Sequence, residues 1–113
     1  MTMKSRIIKS HEPSFDYQVW IKSGELLSYE RKESDSAGWI WCKTSQGESC
    51  WIPENWVEID GTHCVMHRDY NSRELTVTPG EIVQVDFVES GWAWITTAKN
   101  ESGWIPETCL KRD

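Results

Sequence analysis

The chain has 113 residues, a formal net charge of −6, 38% apolar residues, 8 tryptophans and 4 cysteines. With a mean hydropathy of −0.59 it offers no membrane span, and without a basic run it lacks the positive stripe that grips phosphate backbones, so neither membrane nor nucleic acid is expected as a partner. Cys42, Cys50, Cys64 and Cys109 show neither CxxC spacing nor the density of a secreted disulfide scaffold, so most of them are expected to be small core residues of a cytoplasmic protein.

Residues 1–10 carry Lys4, Arg6 and Lys9 but only Ile7-Ile8 as an apolar run, too short for a signal-peptide core. Residues 6–10 read as an opening strand and 11–17 as an irregular loop interrupted by Pro13. Strand composition over 18–22 leads through the turn Ser23-Gly24-Glu25 to a strand at 26–31. A polar loop at 32–37 precedes Gly38, which releases a tryptophan strand over 39–43. That strand turns at 45–48 and returns over 50–52, and Pro53-Glu54-Asn55-Trp56 reads as one helical turn before a last short strand at 57–59. Residues 60–63 read as a connector too short to be a flexible tether. A second unit opens at Cys64-Val65-Met66, passes a loop at 69–73 and the turn 78–81, and enters the cleanly alternating strand 82–88.

The later motif Gly91-Trp92-Ala93-Trp94-Ile95, then Gly103-Trp104-Ile105-Pro106, repeats the earlier Gly38-Trp39-Ile40-Trp41-Cys42, then Cys50-Trp51-Ile52-Pro53. Trp39 and Trp92, Trp41 and Trp94, Trp51 and Trp104, and Pro53 and Pro106 all stand 53 positions apart. Gly24-Glu25 and Gly80-Glu81 stand 56 apart, which assigns three extra residues of the first repeat to a surface loop. A period near fifty, present twice, predicts two small units, residues 1–60 and 61–113, each near the lower limit for independent folding. Short strands, close turn signals and no long helical period make both units all-β.

Asp69-Tyr70, Glu74-Leu75-Thr76-Val77, Pro79-Gly80-Glu81, Gly91-Trp92-Ala93-Trp94 and Gly103-Trp104-Ile105-Pro106-Glu107 follow the order of signature elements of the Src-homology-3 (SH3) domain, which residues 64–111 resemble. The first repeat is similar over 24–59. The resemblance implies two tandem SH3-like small β-barrels packed through a very short linker, and the absence of other domains is similar to small bacterial proteins of variant SH3 type.

Members of that family bind extended, usually proline-rich peptides in a shallow aromatic groove, because a polyproline helix is ordered before it docks. Matched to this sequence, the groove residues are Trp39, Pro53 and Trp56 in the first repeat, and Tyr70, Trp92 and Pro106 in the second. The first repeat keeps the fuller groove, since Cys109 stands where Trp56 does. Arg68 takes the place of the family's first tyrosine. Trp51 and Trp104 flank the grooves as either structural or ligand-touching rings, and Phe15 or Tyr17 offers a ring to the first. The family's long acidic loop is replaced by a short path containing Arg73, so Glu89 in the second repeat, and Glu33 or Asp35 in the first, are the acids left to meet a basic ligand residue.

Trp41 and Trp94 lie two residues beyond the groove tryptophans, either on the same face or over the junction between units. Cys42 and Cys50 face each other across a hairpin as core residues rather than as a disulfide or half of a metal site. His63, Cys64 and His67 lack a fourth ligand. No nucleophile has a recognisable base, and Cys109 is the single candidate, so no enzyme, cofactor or metal is expected. The expected function is a non-catalytic interaction module for a peptide segment of a protein partner. Two other classes stay open: a sensor holding a cationic or aromatic small molecule against the junction rings, and a structural oligomerisation module. The sequence leaves the partner's identity and the oligomeric state open.

Overall fold

Alternation of buried and exposed side chains, broken by glycines in the left-handed region, sets the strands of this chain. The computed structural model describes residues 3–13, 17–31 and 37–111. In chain order the strands are β1 (Met3–Arg6), β2 (Trp20–Ile21), β3 (Leu26–Glu30), β4 (Trp39–Lys43), β5 (Ser49–Pro53), β6 (Val57–Asp60), β7 (His63–Met66), β8 (Tyr70–Asn71), β9 (Ile82–Glu89), β10 (Trp92–Thr96) and β11 (Ser102–Pro106). The helical pieces among the described residues are two 3₁₀ turns, Glu54–Trp56 and Glu107–Cys109. The chain is all-β, as its sequence predicts, and its strands are consistent with SH3-like β-barrels. The expected loop at 32–37 falls mostly outside the described residues.

The structure does not divide the chain at residue 60. One unit is continuous, Gln18–Ser72, and the other is split, joining Met1–Tyr17 to Arg73–Asp113. The continuous unit holds a sheet in the order β5-β4-β3-β7-β6 and the pair β2-β8, while the split unit holds β1-β9-β10-β11. Residues 60–63, expected to connect two domains, are instead the tip of the β6–β7 hairpin inside the continuous unit. The reason is local. Gly61 takes φ +64°, and a two-residue turn is the shortest antiparallel connection a chain can make. The strand expected to open the second unit therefore folds back on β6 and pairs with β3, Leu27 opposite Cys64. The matching edge of β9 is filled by β1, Ser5 opposite Val83.

Backbone hydrogen bonds show that these two opening strands sit in equivalent places. Ile7 N–H donates to the Glu81 carbonyl at 2.8 Å and Gly80 N–H to the Ile7 carbonyl at 2.8 Å; Met66 N–H donates to Glu25 at 3.1 Å and Gly24 N–H to Met66 at 2.7 Å. Ile8 N–H reaches the Cys109 carbonyl at 2.8 Å just as His67 N–H reaches that of Trp56 at 2.8 Å. Gly80 and Gly24, at φ +99° and +88°, make the tight turn on which this pairing depends.

Ile7, Leu75, Val77, Val83, Ala93, Ile95, Ile105, Cys109 and Leu110 form the core of the split unit. Gly103 of β11 is packed tightly on this core: a Cβ there would lie 2.7 Å from Leu75 Cγ and 3.0 Å from the Arg73 carbonyl oxygen. Gly103→Ala is expected to destabilise the protein by about 1–3 kcal/mol, through displacement of a buried leucine. A urea midpoint unchanged from that of the parent chain would refute this.

In the continuous unit Cys42 is in register with Cys50, as the hairpin predicts, yet its sulfur lies 3.8 Å from that of Cys64. All four cysteines are buried free thiols. Burial, then the neighbouring Cys64 thiol, pushes Cys42 far above the ordinary thiol value, and burial with the nearby Glu48 carboxylate pushes Cys50 up to about 12 from 9.0. Such raised groups favour the neutral thiol in the folded state. Their contribution to stability is complete below pH 9.0 and is lost as pH rises toward the folded value, by roughly 1.4 kcal/mol per pH unit for each thiol involved. Urea midpoints measured on either side of that pH are expected to fall on the alkaline side only.

Candidate functional site

On the split unit, β10 places Trp92 between two partners, Glu89 on β9 and Pro106 on β11. All three side chains are half-buried. The Glu89 carboxylate accepts a hydrogen bond from Ser90 Oγ at 2.9 Å. His11 meets the Trp92 ring edge-on, with centroids 5.7 Å apart at 82°. Reciprocal backbone bonds to Val77, 3.1 and 3.0 Å, hold His11 in place, and its Nε2 lies 2.9 Å from Glu74 Oε1. In the 3₁₀ turn after Pro106 the Cys109 thiol is raised by burial, an effect that the charge of Lys9 opposes.

One step along the same face, Trp94 pairs with Phe87 and Trp104. Trp94 stacks on Phe87 at 6.5 Å and meets Trp104 edge-on at 5.3 Å. Ala93 and Ile95, between and beyond the two tryptophans, point into the core. Trp92 and Trp94 thus share a face, as regular alternation predicts, and Trp104 is a buried support beneath Trp94 rather than a rim residue.

The continuous unit carries the other predicted residues in a closed arrangement. Trp39 lies opposite Pro53, and Trp41 meets Trp51 edge-on at 5.1 Å. Pro53 is buried, Trp56 is 7% exposed and Tyr70 is 5% exposed. The Arg68 guanidinium sits 3.9 Å over the centre of the Trp56 ring, Tyr70 meets that ring edge-on at 5.7 Å, and the Tyr70 hydroxyl donates to the Trp51 carbonyl at 2.7 Å. Trp56 is thus packed between Tyr70 and a cation. Pro53 and Trp56 of the first repeat are thus covered, while Trp39 is half-buried like Trp92.

Tyr70, expected beside Trp92, belongs to the Trp56 group because β7 folds back into the continuous unit. Its counterpart in the split unit is His11, which the sequence reading overlooked. The signal was present: Ile7, Lys9 and His11 have the spacing of Met66, Arg68 and Tyr70, but the missing ring was sought further on. Tyr17 is exposed, whereas Phe15, Glu33 and Asp35 lie outside the described residues. Arg73 meets Glu101 at 3.4 Å. Among the described residues no cluster of three His, Cys, Asp or Glu side chains is arranged to hold a metal, and no helix is long and apolar enough to cross a membrane.

No protein-family model matches the chain, and no solved structure matches it. Over 46 residues, 40% of its length, the chain is 37% identical to the SH3 and PX domain-containing protein 2B of Mus musculus, and equally to the protein of that name from Homo sapiens. It spans 5% of the length of these relatives. This partial likeness, taken with the strand order and the all-β fold, supports an SH3-like domain and, in general terms, a protein-interaction module.

Proposed function

We propose that the chain is a non-catalytic interaction module of two SH3-like units that receives an extended peptide segment of a protein partner on the Trp92 face of the split unit. The observation that carries this reading is the row Glu89, Trp92 and Pro106, half-buried and in register across three strands, with His11 bracing the indole from the side. A flat ring beside a proline accepts the proline rings of a polyproline helix, whose order is established before it docks. Glu89 at the end of the row favours a basic residue in the ligand, by charge complementarity. The closed rings around Trp56 leave the continuous unit in a supporting role. Its burial-raised thiols, like that of Cys109, disfavour the thiolate that nucleophilic chemistry needs.

The test is a fluorescence titration with proline-rich peptides that carry either arginine or glutamate at their flanks. Saturable quenching with the arginine series, of modest affinity as a small interface allows, is the expected result. A flat response across both series would remove the proposal.

A further inference from the structure

Two different segments of this chain fill equivalent sockets. Residues 3–11 complete the split unit and residues 63–70 complete the continuous one, with the same backbone bonds at Ile7 and Met66. Each socket takes a buried aliphatic residue (Ile7 or Met66), a basic residue two positions on (Lys9 or Arg68) and a ring four positions on (His11 or Tyr70). The segments differ in how they are tied down. Residues 63–66 are bound through the β6–β7 hairpin turn to the strand just before them. β1 is an edge strand whose strand partner among the described residues is β9, and the segment continues through bridges from Ile7 to Leu110 and from His11 to Val77. It reaches the rest of its unit only by way of Gln18–Ser72.

We infer that β1 is an exchangeable element, and that the socket formed by β9, Leu110 and Val77 accepts residues 3–11 from a second copy of the chain. Each copy in such a dimer completes the other's split unit. The contacts made are those already made within one chain, so exchange needs no new complementary surface and is opposed only by the effective concentration of the tethered strand. The monomer therefore dominates in dilute solution, and the exchanged dimer accumulates when the protein refolds at concentrations that rival the tether. His11 then reaches Trp92 from the partner copy. Every dimer carries two complete Trp92 faces.

The variant Lys4→Cys with Gln84→Cys reads this directly. Lys4 faces Gln84, and since Ile7 N–H donates to Glu81, alternation makes residues 4 and 84 a non-hydrogen-bonded pair, where Cβ atoms approach most closely. The four native thiols are buried, which leaves the new pair as the reactive one. After refolding in dilute solution, mild oxidation is expected to give a covalent monomer. After refolding at about 1 mM, the range of a short tether's effective concentration, it is expected to give a covalent dimer whose peptide map contains the 4–84 link. Light scattering on the unsubstituted chain refolded at both concentrations provides a second measurement that engineered thiols cannot disturb. A 4–84 link confined to monomers at both concentrations, or an unsubstituted chain that stays monomeric at the higher one, overturns the inference.

Discussion

Replacing Ile7 by alanine is expected to destabilise the split unit by about 2–5 kcal/mol, the range for removing a large aliphatic side chain from a packed core. Ile7 is 0% exposed and belongs to the cluster with Val83, Ile95, Ile105 and Leu110. A unit of this size has only a few kcal/mol of stability in all, so the loss is a large part of what holds it folded. The result also decides where the opening strand belongs. Hydrogen exchange should show the amides of Ile95 and Ile105 losing protection first, while those of Ile40 and Ile52, in the strands of the continuous unit, keep theirs. If the amides of Ile40 and Ile52 were the ones released, residues 3–11 would belong with β3 and not with the split unit.

Trp92→Ala is expected to weaken capture of a proline-rich, arginine-flanked peptide by roughly 30-fold or more, since a central aromatic anchor is worth about 2 kcal/mol or above. The protein should remain folded, because Trp92 is only half-buried and the core beneath it, Ala93 and Ile95, is unchanged. Trp39→Ala is the matched control. It stands opposite the buried Pro53, outside the Trp92 face, so affinity should stay within error of the parent. Loss of binding in Trp39→Ala but not in Trp92→Ala would move the site to the continuous unit and require Arg68 to leave the Trp56 ring.

Most strands were readable in the sequence because they carry their own alternation and turn residues, although the opening strand lies at Met3–Arg6 rather than 6–10 and β8 falls in a stretch expected to be a loop. β4, β5, β10 and β11 lie where the tryptophan motifs place them, and both 3₁₀ turns follow Pro53 and Pro106. Beyond the tryptophan hairpins, which strand pairs with which was not readable. Periodicity reports the face a residue presents, not the identity of its neighbour across the sheet. The linear reading assigned residues 3–11 to the first repeat and 63–70 to the second, whereas a two-residue turn at Gly61 made the opposite pairing the local one. The groove residues suffered accordingly: Trp92 and Pro106 were found together as expected, but Tyr70 exchanged places with His11. The closure of Trp56 by Arg68 was also out of reach, because a substituted position does not reveal where its new side chain will lie.

Nesting one unit within the chain of another has a consequence for biosynthesis. Everything the continuous unit needs has been translated once Ser72 is made, whereas residues 3–11 must wait for β9. When the continuous unit folds, Ser72 N–H bonds to the Val19 carbonyl at 3.1 Å and Val19 N–H to Ser72 Oγ at 2.8 Å, which ties its two ends together. The loop that would otherwise separate the opening strand from Arg73 then shrinks to a few residues, and the entropy of closing it falls with the logarithm of its length. On a ribosome adding about 5–20 residues per second, the earlier unit can thus draw the two halves of the later one together before the later one is complete. Order of synthesis becomes order of folding, and the first unit serves as the template that makes the second one's long-range pairing a short-range one.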